Sequence, residues 1–185
     1  MLSMDSITSN CHLILGGARS GKSRYAEQLA KDSGKVVIYL ATAKVKDDEI
    51  AKRVARHQQD RPSDWQTVEE AIYLADKLQQ WASSERIILV DCLTMWLMNL
   101  LSDDSDAGNN QLKTEQQKLL KVLSQLQGEV ILVSNEVGMG IIPLGELTRK
   151  YVDEAGRLHQ AIASIAERVT LITAGLPLSL KKPYI

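Results

Sequence analysis

Gly16-Gly17-Ala18-Arg19-Ser20-Gly21-Lys22-Ser23 decides the fold of this 185-residue chain. The octapeptide has the spacing G-x-x-x-x-G-K-[ST]. It follows the apolar triplet Leu13-Ile14-Leu15 and precedes a stretch with helical spacing from about Lys22 to Lys31. Strand, glycine-rich turn and helix in that order make the match a P-loop rather than a chance run of glycines. Glycines let the backbone curl around a phosphate with its N–H groups turned inward, and the helix N-terminus adds partial positive charge. Gly16, Gly17, Ala18, Arg19, Ser20 and Gly21 are therefore expected to cradle the phosphates of a nucleoside triphosphate. Lys22 is expected on the β- and γ-phosphates, and Ser23 on Mg²⁺ through its hydroxyl.

Outward from this loop, short apolar runs alternate with helical spacing. His12–Leu15, Val36–Leu40, Ile87–Asp91, Val130–Ser134 and Val169–Ala174 read as strands. Lys46–Gln59, Glu69–Trp81, Cys92–Leu101, Gln111–Gln127 and an interrupted Leu144–Ala166 read as helices. The polar, acidic Ser102–Asn110 reads as a surface loop within a domain, and 1–11 as a loosely held N-terminal extension. Alternation of this kind predicts an α/β fold with a mainly parallel central sheet flanked by helices, in one domain over 1–185. Ligands of such sheets bind beyond the carboxyl ends of the strands.

Composition narrows the class. Hydrophobic residues make up 44% and charged residues 24%, which excludes a disordered chain. The net charge is −1, which gives no support to nonspecific binding of nucleic acid or an anionic membrane by the bulk surface, while leaving room for a local basic site. The longest apolar runs are strand-sized, far short of a transmembrane helix, and the polar start does not read as a secretory signal. Cys11 and Cys92 form no CxxC pair, which points to a reducing, cytoplasmic setting.

Ile87-Ile88-Leu89-Val90-Asp91 ends an apolar strand in a carboxylate, as in a Walker-B strand where the acid helps to hold Mg²⁺. Arg53–Pro62 (RVARHQQDRP) is a basic helix end around His57. A single helical histidine is more often structural than catalytic. Surrounding cations would hold phosphates and favour a neutral, nucleophilic imidazole. Ser134–Pro143 (SNEVGMGIIP) follows a strand and reads either as a substrate-facing loop or as an ordinary turn. His12 and His159 read as structural or exposed, and Cys92 as a small buried apolar residue. The apolar Met95–Leu101 is either core or a subunit interface.

GGARSGKS, YLATA, Asp47–Glu49 (DDE), RVARHQQDRP, W-x-T-V-E, VSNEVGMGIIP, Arg149-x-x-x-Asp153-x-x-Gly156 and AGLPLSLK occur in this order. Together they resemble the bifunctional adenosylcobinamide kinase/adenosylcobinamide-phosphate guanylyltransferase family of cobalamin biosynthesis, from about Leu13 to Lys181. The resemblance implies a RecA-like P-loop NTPase fold with an added antiparallel strand near Leu176–Leu180, and a homotrimer. It implies phosphorylation of adenosylcobinamide by ATP or GTP, then transfer of GMP from GTP to the new phosphate through a guanylylated histidine, here His57. It also implies nucleotide contacts at Ala41, Thr42, Ala43, Gln58, Gln59, Asp60, Arg61, Glu69 and Asp91. Some relatives carry Glu where this chain has Asp91. Two other readings of the residues are a P-loop small-molecule kinase without nucleotidyl transfer, which forms no covalent adduct, and a non-catalytic nucleotide switch.

Overall fold

The computed structural model describes residues 9–44, 62–103 and 105–182. Along the chain run β1 (Ser9–Gly16), α1 (Lys22–Asp32), β2 (Val36–Ala41), β3 (Gln66–Glu69), α2 (Leu74–Trp81) and β4 (Arg86–Asp91). They are followed by α3 (Leu93–Leu100), α4 (Asp106–Leu123), β5 (Glu129–Asn135), α5 (Glu146–Ile165), β6 (Ala166–Thr173) and β7 (Leu176–Lys181). The expected helix over Lys46–Gln59 lies outside the described residues.

The strands form one sheet in the order β3-β2-β4-β5-β1-β6-β7. Every pairing is parallel except β6 with β7, the antiparallel addition expected near Leu176. Periodicity cannot choose between the strand orders open to a P-loop protein. Here β5 separates β1 from β4, which is the RecA-like order.

Alternation sorts the side chains between two core layers. Leu13, Ile38, Ile88 and Leu132 point to the layer under α2, α3, α4 and α5. Ile14, Tyr39, Leu89 and Val133 point to the layer that receives Ala26 and Ala30 of α1. Both faces are covered, so the inner strands are almost unbroken apolar runs. The Met95–Leu101 segment is core: Trp96, Leu97, Leu100 and Leu101 are all buried. The Trp96 indole also donates to the carbonyl of Ile72 at 2.8 Å.

Several boundaries move. The segment beginning at Glu69 does not start a helix. Gln66–Glu69 pairs with β2 instead, and Glu70 Oε1 accepts from the N–H groups of Ile72 and Tyr73, both at 2.9 Å, ahead of α2. Helix α4 begins at Asp106, inside the expected loop, because the Ser105 hydroxyl accepts from Gly108 N–H at 3.1 Å and caps it. Helix α5 is continuous, and Lys181 Nζ donates to the terminal carbonyls of Ala163 and Ser164. Strand β1 begins at Ser9, inside the expected extension, and Cys11 pairs with Val130 in the core.

Candidate nucleotide site

The carboxyl ends of the parallel strands lie along one edge. Ala41 is in register with both Glu69 and Asp91, and Gly16 with both Asn135 and Ile172. Alternation then fixes the sides. Asp91 follows Ile87 and Leu89, and Asn135 follows Ile131 and Val133, so both end on the layer of α1. Ala41 belongs to that layer too. Carboxylate, amide and glycine loop are thus gathered at the N-terminus of α1.

The loop geometry suits an anion. Gly21, at φ 95°, precedes α1 and makes no side-chain cap, which leaves the first-turn N–H groups to a ligand. Arg19 holds a left-handed φ of 57°, unusual away from glycine. Ser20 N–H donates to Gly17 C=O at 3.2 Å, closing the turn. A Cβ on Gly16 would lie 2.6 Å from the carbonyl oxygen of Ile172, so β6 leaves no room for a side chain there. A Cβ on Gly17 would meet nothing within 4 Å, which marks its open side as an approach for phosphate. Ser20 Oγ is buried with no hydrogen-bond partner among the described residues. Lys22 Nζ curls back to Gly17 C=O at 3.0 Å, the position an ammonium takes over the cradle. Behind the loop, Gly175 N–H of the β6–β7 turn donates to Ser20 C=O at 2.9 Å.

Asp91 is held by the Tyr39 phenol, which donates to Oδ2 at 2.7 Å. Cys92 is partly buried. Burial first, then the charge of Asp91, pushes its thiol up to about 11, so it stays neutral at physiological pH. Thr42 is fully buried, and its hydroxyl is engaged within the fold. It donates to Cys92 C=O at 2.6 Å and accepts from Cys92 N–H at 2.9 Å. Asn99 Nδ2 donates to Thr42 C=O at 2.8 Å. Thr42 therefore acts on the site by tying the tip of β2 to that of β4. Ala41 and Ala43 keep partial exposure beside it, and Glu69 is exposed at the sheet end. His57, Gln58, Gln59, Asp60 and Arg61 lie outside the described residues.

On the other layer a second polar set holds the tip of β5. His159 Nε2 and Ser134 Oγ are hydrogen-bonded at 2.8 Å, both buried. His159 Nδ1 lies 3.9 Å from Glu136 Oε2. Glu136 N–H donates to Gly16 C=O at 3.0 Å, and Asn135 N–H to Thr94 Oγ1 at 2.8 Å. Asn135 belongs to the SNEVGMGIIP segment and Tyr39 to YLATA, both quoted from the sequence, but their partners were not readable there. The roles of Thr94 and Asn99 needed contacts over long sequence separations.

Fold and site together define a P-loop NTPase of RecA-like topology. In keeping with this, the chain resembles a prototypical ATPase from the type III secretion system of pathogenic bacteria with a TM-score of 0.57 at 11% identity, over 93% of this chain and 58% of that one. Residues 12–180 match the family described as cobinamide kinase / cobinamide phosphate guanyltransferase. Identity reaches 56% with the bifunctional adenosylcobalamin biosynthesis protein CobP of Pseudomonas aeruginosa, over 91% of this chain and 96% of that protein. It is 38% with the bifunctional adenosylcobalamin biosynthesis protein CobU of Escherichia coli, over 91% and 98%. The chain belongs to the cobinamide kinase / cobinamide phosphate guanyltransferase family.

Proposed function

We propose that this enzyme phosphorylates adenosylcobinamide with ATP or GTP and then joins GMP from GTP to the product through a guanylyl-histidine at His57, in the service of adenosylcobalamin synthesis. The observation that carries the reading is the placement of Asp91 and the uncapped N-terminus of α1 on one layer of the sheet, beside the glycine cradle. In the kinase step the backbone N–H groups of Gly16–Ser23 and the Lys22 ammonium bind and orient the triphosphate. The acceptor hydroxyl oxygen bonds to the γ-phosphorus as its bond to the leaving diphosphate breaks. In the transfer step a nitrogen of the His57 imidazole attacks the α-phosphorus of GTP and pyrophosphate leaves. A phosphate oxygen of adenosylcobinamide phosphate then displaces the imidazole, giving adenosylcobinamide-GDP.

Mg²⁺ fits the donor set, since Ser23 and Asp91 offer hard oxygens. Among the described residues no cluster of three His, Cys, Asp or Glu side chains comes together, so the phosphates would complete the coordination. Bound there, the ion would supply charge neutralisation on the phosphate oxygens. Ala41, Ala43, Gln58–Arg61 and Glu69 are proposed around the nucleotide.

The proposed assembly is a homotrimer in the cytoplasm. Leu176, Leu178 and Leu180, spaced by two on the edge strand β7, are each more than half exposed, which supports a covered surface there. No helix among the described residues is long and apolar enough to cross a membrane.

The test is incubation with GTP labelled at its α-phosphate, followed by denaturing electrophoresis. The label is expected to stay on the wild type, to be acid-labile and alkali-stable, and to be absent from His57→Ala. A folded, GTP-binding wild type that takes no label leaves the P-loop kinase without nucleotidyl transfer as the reading.

A further inference from the structure

Between the end of β5 and the first turn of α5 the chain carries five large apolar side chains into solvent, four in the loop and Leu147 in the helix. Met139 is 77% exposed, Ile141 97%, Ile142 78%, Leu144 97% and Leu147 50%. Single exposed apolar residues are ordinary, but a contiguous set marks a place where something binds. The loop is not loose chain that failed to reach the core, because it is fastened at both ends. At its start Glu136 N–H donates to Gly16 C=O, and Glu136 Oε1 accepts from Gly138 N–H at 2.6 Å. At its end Arg149 Nη1 donates to Pro143 C=O at 3.1 Å and to Leu144 C=O. Neither anchor is apolar, and both leave the side chains between them outside.

From these observations we infer that the Met139–Leu147 segment, the loop and the first turn of α5, is the surface on which the corrinoid body of the acceptor docks in both reactions. The inference rests on the function proposed above. The loop springs from a residue bonded to the first glycine of the cradle. Three residues of chain from Glu136 to Met139 reach at most about 10 Å, so the loop's near end stands at the rim of the phosphate site. A corrin macrocycle is too broad to enter a cradle shaped for phosphates. It must stay outside while its aminopropanol arm delivers the reacting oxygen. The methyl groups on its ring suit an exposed aliphatic platform, and the arm suits a platform adjoining the cradle. Adenosylcobinamide and its phosphate share this body, so one platform serves both steps, and binding energy from the remote ring helps to position the arm.

The test is Ile141→Ser with Leu144→Ser, two side chains whose loss removes no core packing. Equilibrium dialysis with adenosylcobinamide and with its phosphate, GTP binding without corrinoid, and mass by light scattering are measured on wild type and variant. Both corrinoid Kd values are expected to rise at least about tenfold together, with GTP affinity within about twofold and mass unchanged. Met139→Ser alone is expected to move both corrinoid values in the same direction, and serves if the double variant misfolds. Corrinoid affinities within about twofold of wild type would overturn the proposal. So would a fall in mass, which would show that another copy of the chain covers the loop. A wild type that binds GTP but neither binds nor phosphorylates adenosylcobinamide would instead bring down the underlying function, visibly before any variant is made.

Discussion

Gly16 and Gly17 are neighbours in the same loop, and the structure separates their roles. A Cβ at Gly16 would also meet Ser20 Oγ at 2.5 Å, in addition to the β6 backbone. Gly16→Ala is therefore expected to destabilise the fold by about 1–3 kcal/mol, read from denaturant unfolding, and to weaken nucleotide binding. Gly17→Ala is expected to stay within about 0.5 kcal/mol of wild type, because nothing lies near the added methyl. Any loss of nucleotide affinity in Gly17→Ala then reports the ligand alone. Asp91→Asn keeps an oxygen for the Tyr39 phenol to donate to, so the melting temperature is expected to hold. Mg²⁺-dependent turnover is expected to fall by about 100-fold, of the order lost when one transition-state charge partner is removed. Equal turnover in Asp91→Asn and wild type would take Asp91 out of the metal site.

Strand tips and the helices behind them carry the next level of organisation. Thr42 bridges β2 and β4, with Asn99 of α3 closing the set. Thr42→Val preserves shape but strands the Cys92 N–H in the interior. A loss of about 1–3 kcal/mol is expected in chemical denaturation, although Thr42 needs no contact with nucleotide to matter. The two buried histidines set the acid response. Burial, and then the charge of Arg168, lower His12 from 6.5 to about 4, and burial lowers His159 as well. For both, the unfolded chain takes up protons before the folded one. The contribution of His12 is therefore complete above about pH 6.5 and is lost as pH falls through about 4, and His159 acts in the same direction. For His12 this amounts to at most about 3 kcal/mol. His12→Gln can still bond the Thr170 hydroxyl, which now meets His12 Nε2 at 2.8 Å. That variant is expected to flatten the decline in melting temperature between pH 6.5 and 4.

For the whole molecule the proposed homotrimer sets the expectation. Light scattering is expected to give three times the chain mass. Leu176→Ser with Leu178→Ser is expected to shift the protein towards monomer, because exposed strand edges with apolar side chains invite pairing. An unchanged mass would move the interface away from β7. The sheet also explains why the site is built as it is. Parallel strands bring Gly16, Ala41, Glu69, Asp91 and Asn135 to one edge although they lie far apart in the chain.

Much of this was legible beforehand, for local reasons. The glycine loop, the strand before it and the helix after it are neighbours in sequence, so spacing alone revealed them. The strand ending in Asp91 was legible in the same way, whereas the added β7 was implied by the family resemblance. Strand β3 was not, because Gln66–Glu69 is a polar edge strand whose partner in β2 comes from a distant stretch of chain. The start of α4 was missed because a single capping serine outweighed an acidic, glycine-containing stretch. The choice between core and interface for Met95–Leu101 also lay beyond periodicity, since an apolar helix face looks alike in both settings.

Nucleotide binding and the α/β class were written locally in the chain, because phosphate recognition by backbone N–H groups needs a short, contiguous motif, and the family was carried by further contiguous motifs such as RVARHQQDRP and VSNEVGMGIIP. The insertion of β5 between β1 and β4, the layer on which Asp91 and Asn135 stand, and the binding of Thr42 and His159 into the scaffold came from the folded chain alone. Those features depend on strand order and register, which arise from contacts between segments remote in the chain and leave no local periodicity to read.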